Sequence, residues 1–151
     1  MAARGGAAAF CPTSNLFLGS GLFDLPAMRA AGVCSGLGTD VGGGTSLSLL
    51  RTASEAYKVL HMQEHALPAM QALYLATLGA AEALCLDDRI GNFAAGKEAD
   101  FVVLDFGGSS LSARRCEAAA SIEEKLFALM TLADERHVAA TYLLGNIAHM
   151  Y

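Results

Sequence analysis

The run Gly36-Leu37-Gly38-Thr39-Asp40-Val41-Gly42-Gly43-Gly44-Thr45-Ser46 constrains this chain more than any other feature. A short apolar stretch at residues 33–39 ends on a carboxylate, and three glycines in succession follow one residue later. Glycine lacks a Cβ, so such a run lets the backbone turn sharply or approach another group closely, and it weakens any regular element. The spacing predicts a strand that ends at Asp40, a glycine loop, and a new element beyond it.

The flanking residues predict what surrounds that loop. Residues 7–11 read as a strand, and Pro12-Thr13-Ser14-Asn15 as the loop that stops it. Residues 22–31 have helical spacing through Leu22, Leu25, Met28 and Arg29, with Gly32 placed to close the helix. Past the glycines, Thr45 or Ser46 is expected to cap a helix that carries Leu50, Ala53, Tyr57 and Leu60 on one face. The order strand, helix, strand, helix is the mark of parallel β/α units.

Pro68 is expected to open a further helix with Leu73, Thr77, Ala80, Ala81 and Leu84 on its buried side. The character then changes. Ile90-Gly91-Asn92-Phe93 and Ala95-Gly96-Lys97 are turn-rich, residues 100–106 read as a strand, and residues 107–112 as a flexible connection. Residues 121–132 read as a helix, with Glu124 at capping-box spacing from Ser121. Strands at 138–144 and 147–151 flank Gly145-Asn146, a hairpin signal. Two β/α units leave the outer edges of both strands unpaired, and a closed (β/α)8 barrel needs about 250 residues. The expectation is a piece of a larger barrel or a small open-sheet module.

Composition narrows the function classes. Hydrophobic residues make up 54% of the 151 and charged ones 17%, as in a well-buried single domain. A net charge of −5, with no lysine- or arginine-rich run, argues against nucleic acid. The uncharged stretches at 5–23 and 66–81 are broken by proline and polar residues, so no membrane span is expected, and the first ten residues are too short for a secretory signal. Cys11, Cys34, Cys85 and Cys116 are widely spaced, which suits buried thiols in a reducing cytoplasm.

Asp40 is the principal candidate for chemistry, because α/β folds build their sites at the C-terminal ends of strands. The competing reading has it only ordering the turn or offsetting the next helix dipole. Gly36-x-Gly38 begins like a dinucleotide fingerprint, but Val41 stands where the third glycine belongs, and no P-loop lysine follows. His61 and His65 stand four apart, yet Met62 occupies the place of a zincin glutamate, which leaves a solvated helix end. His137 and His149 have no ligand-like neighbours in sequence. Cys11 reads as a structural thiol rather than a nucleophile.

Phe10-Cys11-Pro12-Thr13-Ser14-Asn15-Leu16-Phe17-Leu18-Gly19-Ser20-Gly21 resembles the seventh-strand segment of the amidohydrolase deaminases, and Gly36-Leu37-Gly38-Thr39-Asp40 resembles their eighth strand. The continuation Val41-Gly42-Gly43-Gly44-Thr45-Ser46 looks like the guanine deaminase branch. Ala76-Thr77-Leu78-Gly79-Ala80-Ala81, and Ile90-Gly91 through Gly96-Lys97-Glu98-Ala99-Asp100-Phe101-Val102-Val103-Leu104, are similar to the family's return into a small β-sandwich. The resemblance runs from about Ala7 to Tyr151.

The resemblance implies an α/β fold. Residues 1–88 would be the last two β/α units of a (β/α)8 TIM barrel, and residues 89–151 the C-terminal share of a composite β-sandwich. It implies conversion of guanine and water to xanthine and ammonia by water activated on one zinc ion. It also implies that Asp40 serves as metal ligand, substrate contact and proton carrier, and that the intact protein is a cytoplasmic homodimer. The family's H-x-H pair, its further metal histidines and its proton-shuttling glutamate have no counterpart here, and none of His61, His65, His137 or His149 matches those positions. A catalytic zinc needs about three protein ligands, so the chain alone is expected to be inactive. The alternatives are another aminohydrolase or chlorohydrolase of the superfamily, a non-catalytic α/β binding module, and a small nucleotide-binding domain.

Overall fold

The computed structural model describes residues 5–150. Strand β1 (Ala7–Phe10) lies parallel to β2 (Cys34–Leu37), with Phe10 opposite Leu37. The pairing continues one residue further, where the Gly38 N–H donates to the Phe10 carbonyl at 3.0 Å. Helices α1 (Pro12–Leu18) and α2 (Leu25–Ala30) connect the two strands.

Helix α1 corrects the loop expected at Pro12-Thr13-Ser14-Asn15. These residues favour turns, but proline is preorganised for the first helical position, where its missing N–H is not needed. Gly19, at φ 69, closes the helix, and Ser20 donates back to the Asn15 carbonyl at 2.9 Å. Helix α2 starts at Leu25 rather than 22 because the Asp24 carboxylate takes the Ala27 N–H at 2.8 Å. Gly32 closes it as expected: Gly32 donates to Arg29 and Val33 to Met28, a Schellman arrangement.

Helix α3 (Leu49–His61) is capped by Ser48 instead of Thr45 or Ser46, and the Ser46 hydroxyl takes the Ser48 N–H. Its buried face holds Ala53, Ala56, Val59 and Leu60. The single helix expected after Pro68 is two, α4 (Ala69–Ala76) and α5 (Leu78–Ala83), broken at Thr77 with φ −128 and ψ −100. The break shifts the helical phase. Ala69, Ala72, Leu75, Gly79 and Ala81 face inward, and Leu73 and Leu84 are exposed, contrary to expectation. Tyr74 on α4 hydrogen-bonds Glu82 on α5, tying the two pieces together.

Strand β3 (Phe101–Leu104) leads into α6 (Ser110–Glu117), where a flexible connection was expected. The serines that read as loop formers act as caps: Ser109 and Ser112 each take the other's N–H. Helix α7 (Ile122–Leu132) begins at Ser121 as expected, although Glu124 takes the Ala120 N–H rather than closing a full box. Strands β4 (Val138–Leu143) and β5 (Asn146–Met150) complete an antiparallel sheet in the order β3-β4-β5. The turn sits one residue earlier than expected, on Leu144 and Gly145 at φ 51 and 75. Asp100 takes the Leu144 N–H at 2.7 Å and Ala99 the Gly145 N–H at 3.0 Å, which holds leucine in a backbone region it rarely visits. Tyr151 lies outside the described residues.

Phe10, Leu25 and Leu37 from the β1–β2 unit share one core with Ala56, Val59 and Leu60 of α3, Leu75 of α4 and Met130 of α7. Phe10 stacks on Phe23 at 4.7 Å, and Phe127 of α7 meets Tyr57 edge-on at 5.3 Å. The late helix α7 thus seals the core that the first strand opens. No helix among the described residues is long and apolar enough to cross a membrane.

Candidate functional site

Parallel pairing aligns the C-terminal ends of neighbouring strands. The residues just past β1 therefore stand beside those just past β2. On one side are Cys11, Thr13 and Ser14 at the start of α1; on the other are Gly38, Thr39 and Asp40. The Ser14 hydroxyl donates to Asp40 Oδ2 at 2.6 Å. Asp40 is exposed and sits at φ 48, a left-handed conformation that aspartate adopts more readily than most residues. Its Oδ1 has no hydrogen-bond partner among the described residues.

The glycines of the loop are needed for different reasons, Gly42 for its backbone angle and Gly43 and Gly44 for their neighbours. Gly42 sits at φ 123. A Cβ on Gly43 would lie 2.5 Å from Ser14 Oγ, and one on Gly44 would collide with the Thr39 carbonyl. The Gly44 N–H donates to the Asp40 carbonyl at 2.5 Å, closing a tight turn around the carboxylate's own residue. Within β2, Gly36 lets α5 press on the strand, and just past its end Gly38 leaves room for Cys11 Sγ. No third glycine arrives at Val41, so the fragmentary dinucleotide pattern has a packing origin.

Cys11 donates weakly to the Ala9 carbonyl at 3.7 Å. Burial pushes its thiol pKa up and the Asp40 carboxylate pushes the same way, so it stays protonated, in keeping with a structural thiol. Thr13 is 8% exposed and its buried Oγ1 has no hydrogen-bond partner among the described residues. A cavity of about 550 Å³ opens beside it between α1, α3 and the end of α7, lined in part by Phe17, Arg51 and Ser54. Asp40 is not on its wall.

Among the described residues no group of three or more His, Cys, Asp or Glu side chains is placed to hold a metal ion. Asp40 fits one corner of such a site, since a carboxylate oxygen without a protein partner is a donor zinc accepts. His61 and His65 are exposed near the end of α3, and the His61 ring stacks on Tyr57 at 5.7 Å. Nothing joins them to Asp40.

His137, without evident partners in sequence, is fully buried within a Ser–His–Asp constellation. Its Nε2 lies 2.9 Å from Ser112 Oγ, and its Nδ1 accepts the Asp134 N–H at 3.2 Å and stands 3.4 Å from Asp134 Oδ1. With Nδ1 accepting, the proton sits on Nε2 and is donated to Ser112, whose own hydroxyl donates to the Ser109 carbonyl at 2.9 Å. That polarity is the reverse of nucleophile activation, in which the imidazole takes the serine proton. The cluster is a structural latch between α6 and the turn that leads into β4. The spacings Ser109-x-x-Ser112 and Asp134-x-x-His137 were the available clues to it, and the proximity of two parallel strand ends was the clue to Ser14.

Residues 2–148 match the sequence profile of the Amidohydrolase family. The chain belongs to that family. It is 51% identical to the guanine deaminase of Escherichia coli (strain K12) over 141 residues, which are 93% of this chain and 32% of that protein. The solved structure of E. coli guanine deaminase superposes with a TM-score of 0.97 at 48% identity, covering 99% of this chain and 35% of that one. An adenosine deaminase from Xanthomonas campestris with bound zinc superposes with a TM-score of 0.83 at 29% identity, covering 99% and 33%. This amidohydrolase chain thus spans about a third of the length of the relatives it matches. Its described architecture is the mixed α/β arrangement of those structures.

Proposed function

We propose that this chain is the C-terminal portion of a guanine deaminase and that Asp40 is its contribution to the active site. In this reading β1 and β2, with their helices, are the last two β/α units of a (β/α)8 barrel within residues 1–88. Residues 89–151 return to a composite β-sandwich, with α7 reaching back to pack on α3 and α4. The observation that carries the proposal is Asp40 itself. In a chain 51% identical to a guanine deaminase, an exposed carboxylate ends a strand that lies parallel to its neighbour, one oxygen anchored by Ser14 and the other without a partner.

Zinc, when bound, would lower the pKa of a water enough to make it a nucleophile at neutral pH toward the guanine carbon that carries the amino group. Asp40 would accept a proton from the attacking water, hold it at the carboxylate and deliver it to the departing nitrogen, so that ammonia would leave neutral. The same carboxylate serves as one metal ligand and touches the substrate. The other metal ligands, and the groups that read the purine edge, come from the part of the enzyme outside this chain. The chain by itself is inactive. The intact enzyme is a cytoplasmic homodimer, and within each barrel the edges that two units leave open pair with the other strands.

A composite enzyme tests this directly. Replacing the matched third of E. coli guanine deaminase with this chain is expected to give zinc-dependent release of ammonia and xanthine from guanine. Asp40→Asn is expected to cost about 10²–10⁴-fold in turnover. A folded composite without guanine turnover overturns the substrate assignment, and near-normal turnover by Asp40→Asn overturns the role of that residue. The zinc-bearing adenosine deaminase among the structural neighbours favours one second reading, an aminohydrolase of another purine, and adenosine in the same assay decides between them.

A further inference from the structure

We propose that Ser14 is a positioning residue for Asp40, and that Gly43 is where a missing side chain keeps that contact open. The inference rests on the reading of Asp40 as a metal and proton residue. Asp40 is exposed at the edge of a glycine loop, so no packing fixes its side-chain torsions. What fixes them is one charge-assisted O–H···O⁻ bond of 2.6 Å from a serine that is itself 2% exposed. Ser14 has a single hydroxyl proton, and Asp40 receives it.

The donor is rigid for reasons of sequence. Ser14 lies in the first turn of α1, where Pro12 sets the backbone and Phe10, just before it, is completely buried. Its position is therefore tied to the core, while Asp40 is tied only through Ser14 and the tight turn to Gly44. Gly43 lies over the pair. A Cβ there would stand 2.5 Å from Ser14 Oγ, 3.0 Å from Leu18 Cδ1 and 3.5 Å from Asp40 Oδ2. A methyl group at 43 displaces the hydroxyl from the carboxylate without altering either residue. The result is a clamp that commits Oδ2 to the protein and leaves Oδ1 for the metal and the reacting proton.

The experiment uses the composite enzyme and two readouts, zinc affinity measured by competition with a chromophoric chelator, and the kcat and KM for guanine. Partners that orient a metal ligand are worth about 10–100-fold in metal affinity or activity, and Ser14→Ala is expected to lose that much in zinc affinity or kcat with KM little changed. Gly43→Ala is expected to reproduce the loss, and the double variant to fall no further than either single one, because both remove the same bond. In an Asp40→Asn background Ser14→Ala is expected to leave zinc affinity unchanged. Zinc affinity and kcat within about twofold of the unsubstituted enzyme in both single variants overturns the proposal. Additive losses, or an equal Ser14→Ala loss in the Asp40→Asn background, overturn it as well, since a purely structural serine behaves that way. If Ser14→Ala does not fold, Gly43→Ala still carries the test. An unsubstituted composite without guanine turnover defeats the functional reading instead, and that result is in hand before any variant is made.

Discussion

Gly36→Ala probes how tightly the Asp40-bearing strand is held. A Cβ at position 36 falls 2.6 Å from Ala80 Cα, 2.9 Å from Ala80 Cβ and 3.2 Å from Ala80 N. Ordinary contact begins at 3.4 Å, so α5 must retreat from β2 by about 0.8 Å. The helix has little freedom to do so. A Cβ added at Gly91 would stand 2.8 Å from Ala81 Cβ and one at Gly79 2.8 Å from Tyr74 Cε1, so the loop after α5 and the Tyr74 ring already lie close against the helix. Overpacking against backbone costs about 1–3 kcal/mol, and with both neighbours fixed the upper part of that range applies. For a chain of this size each kcal/mol lowers Tm by about 2–4 °C, so a fall of about 4–12 °C is expected in thermal melts followed by far-UV circular dichroism. A Tm within about 1 °C of the unsubstituted chain refutes the claim that α5 and β2 are in backbone contact.

Thr13→Val keeps the side chain's shape and removes a hydroxyl that is out of solvent and unbonded among the described residues, so it is expected to stabilise the chain by about 1–2 kcal/mol, seen as a higher urea midpoint; a lower midpoint shows that the hydroxyl has a partner. Hydrogen bonding from Arg136 holds the Asp134 carboxyl well below the usual carboxylate range, so the stability it adds is present above its ordinary pKa of 3.8 and is lost as pH falls toward the folded value. Asp134→Asn is therefore expected to lose less Tm than the unsubstituted chain between about pH 6 and pH 2, and equal losses refute the linkage. Because burial and then Asp40 raise the Cys11 pKa, iodoacetamide at about pH 8 is expected to modify the exposed Cys34 and Cys85 before Cys11, and early labelling of Cys11 contradicts that environment.

The parallel pair and the place of Asp40 were legible because they depend on local signals: apolar runs of strand length, a carboxylate at a strand end, and glycines after it. Helices α1 and α6 were not, for one shared reason. Proline, serine and asparagine favour both turns and the first residues of a helix, and composition alone does not say which. At Pro12 the decision is made by the burial of Pro12, Thr13 and Ser14, and at Ser109 by a reciprocal bond with Ser112. The exposed Leu73 and Leu84 were misplaced because a break at Thr77 resets the helical phase. The hairpin slipped by one residue because Asp100 and Ala99, more than forty positions away, hold the turn. In the candidate site Asp40 was visible from its neighbours in sequence. Ser14 was not, because its partnership with Asp40 spans 26 residues and exists only once the strands are paired.

The seat of Met130 and Phe127 in the core that contains Phe10 has a consequence for biosynthesis. The first strand leaves the ribosome long before the helix that covers it, and contacts across such a separation form late and slowly. Until α7 emerges, Ala56, Val59 and Leu75 have an open side, and the strand carrying Asp40 rests on an unfinished floor. A premature stop codon upstream of Met130 would therefore deprive the nascent chain of its aspartate's footing, although the aspartate itself had been translated some ninety codons earlier.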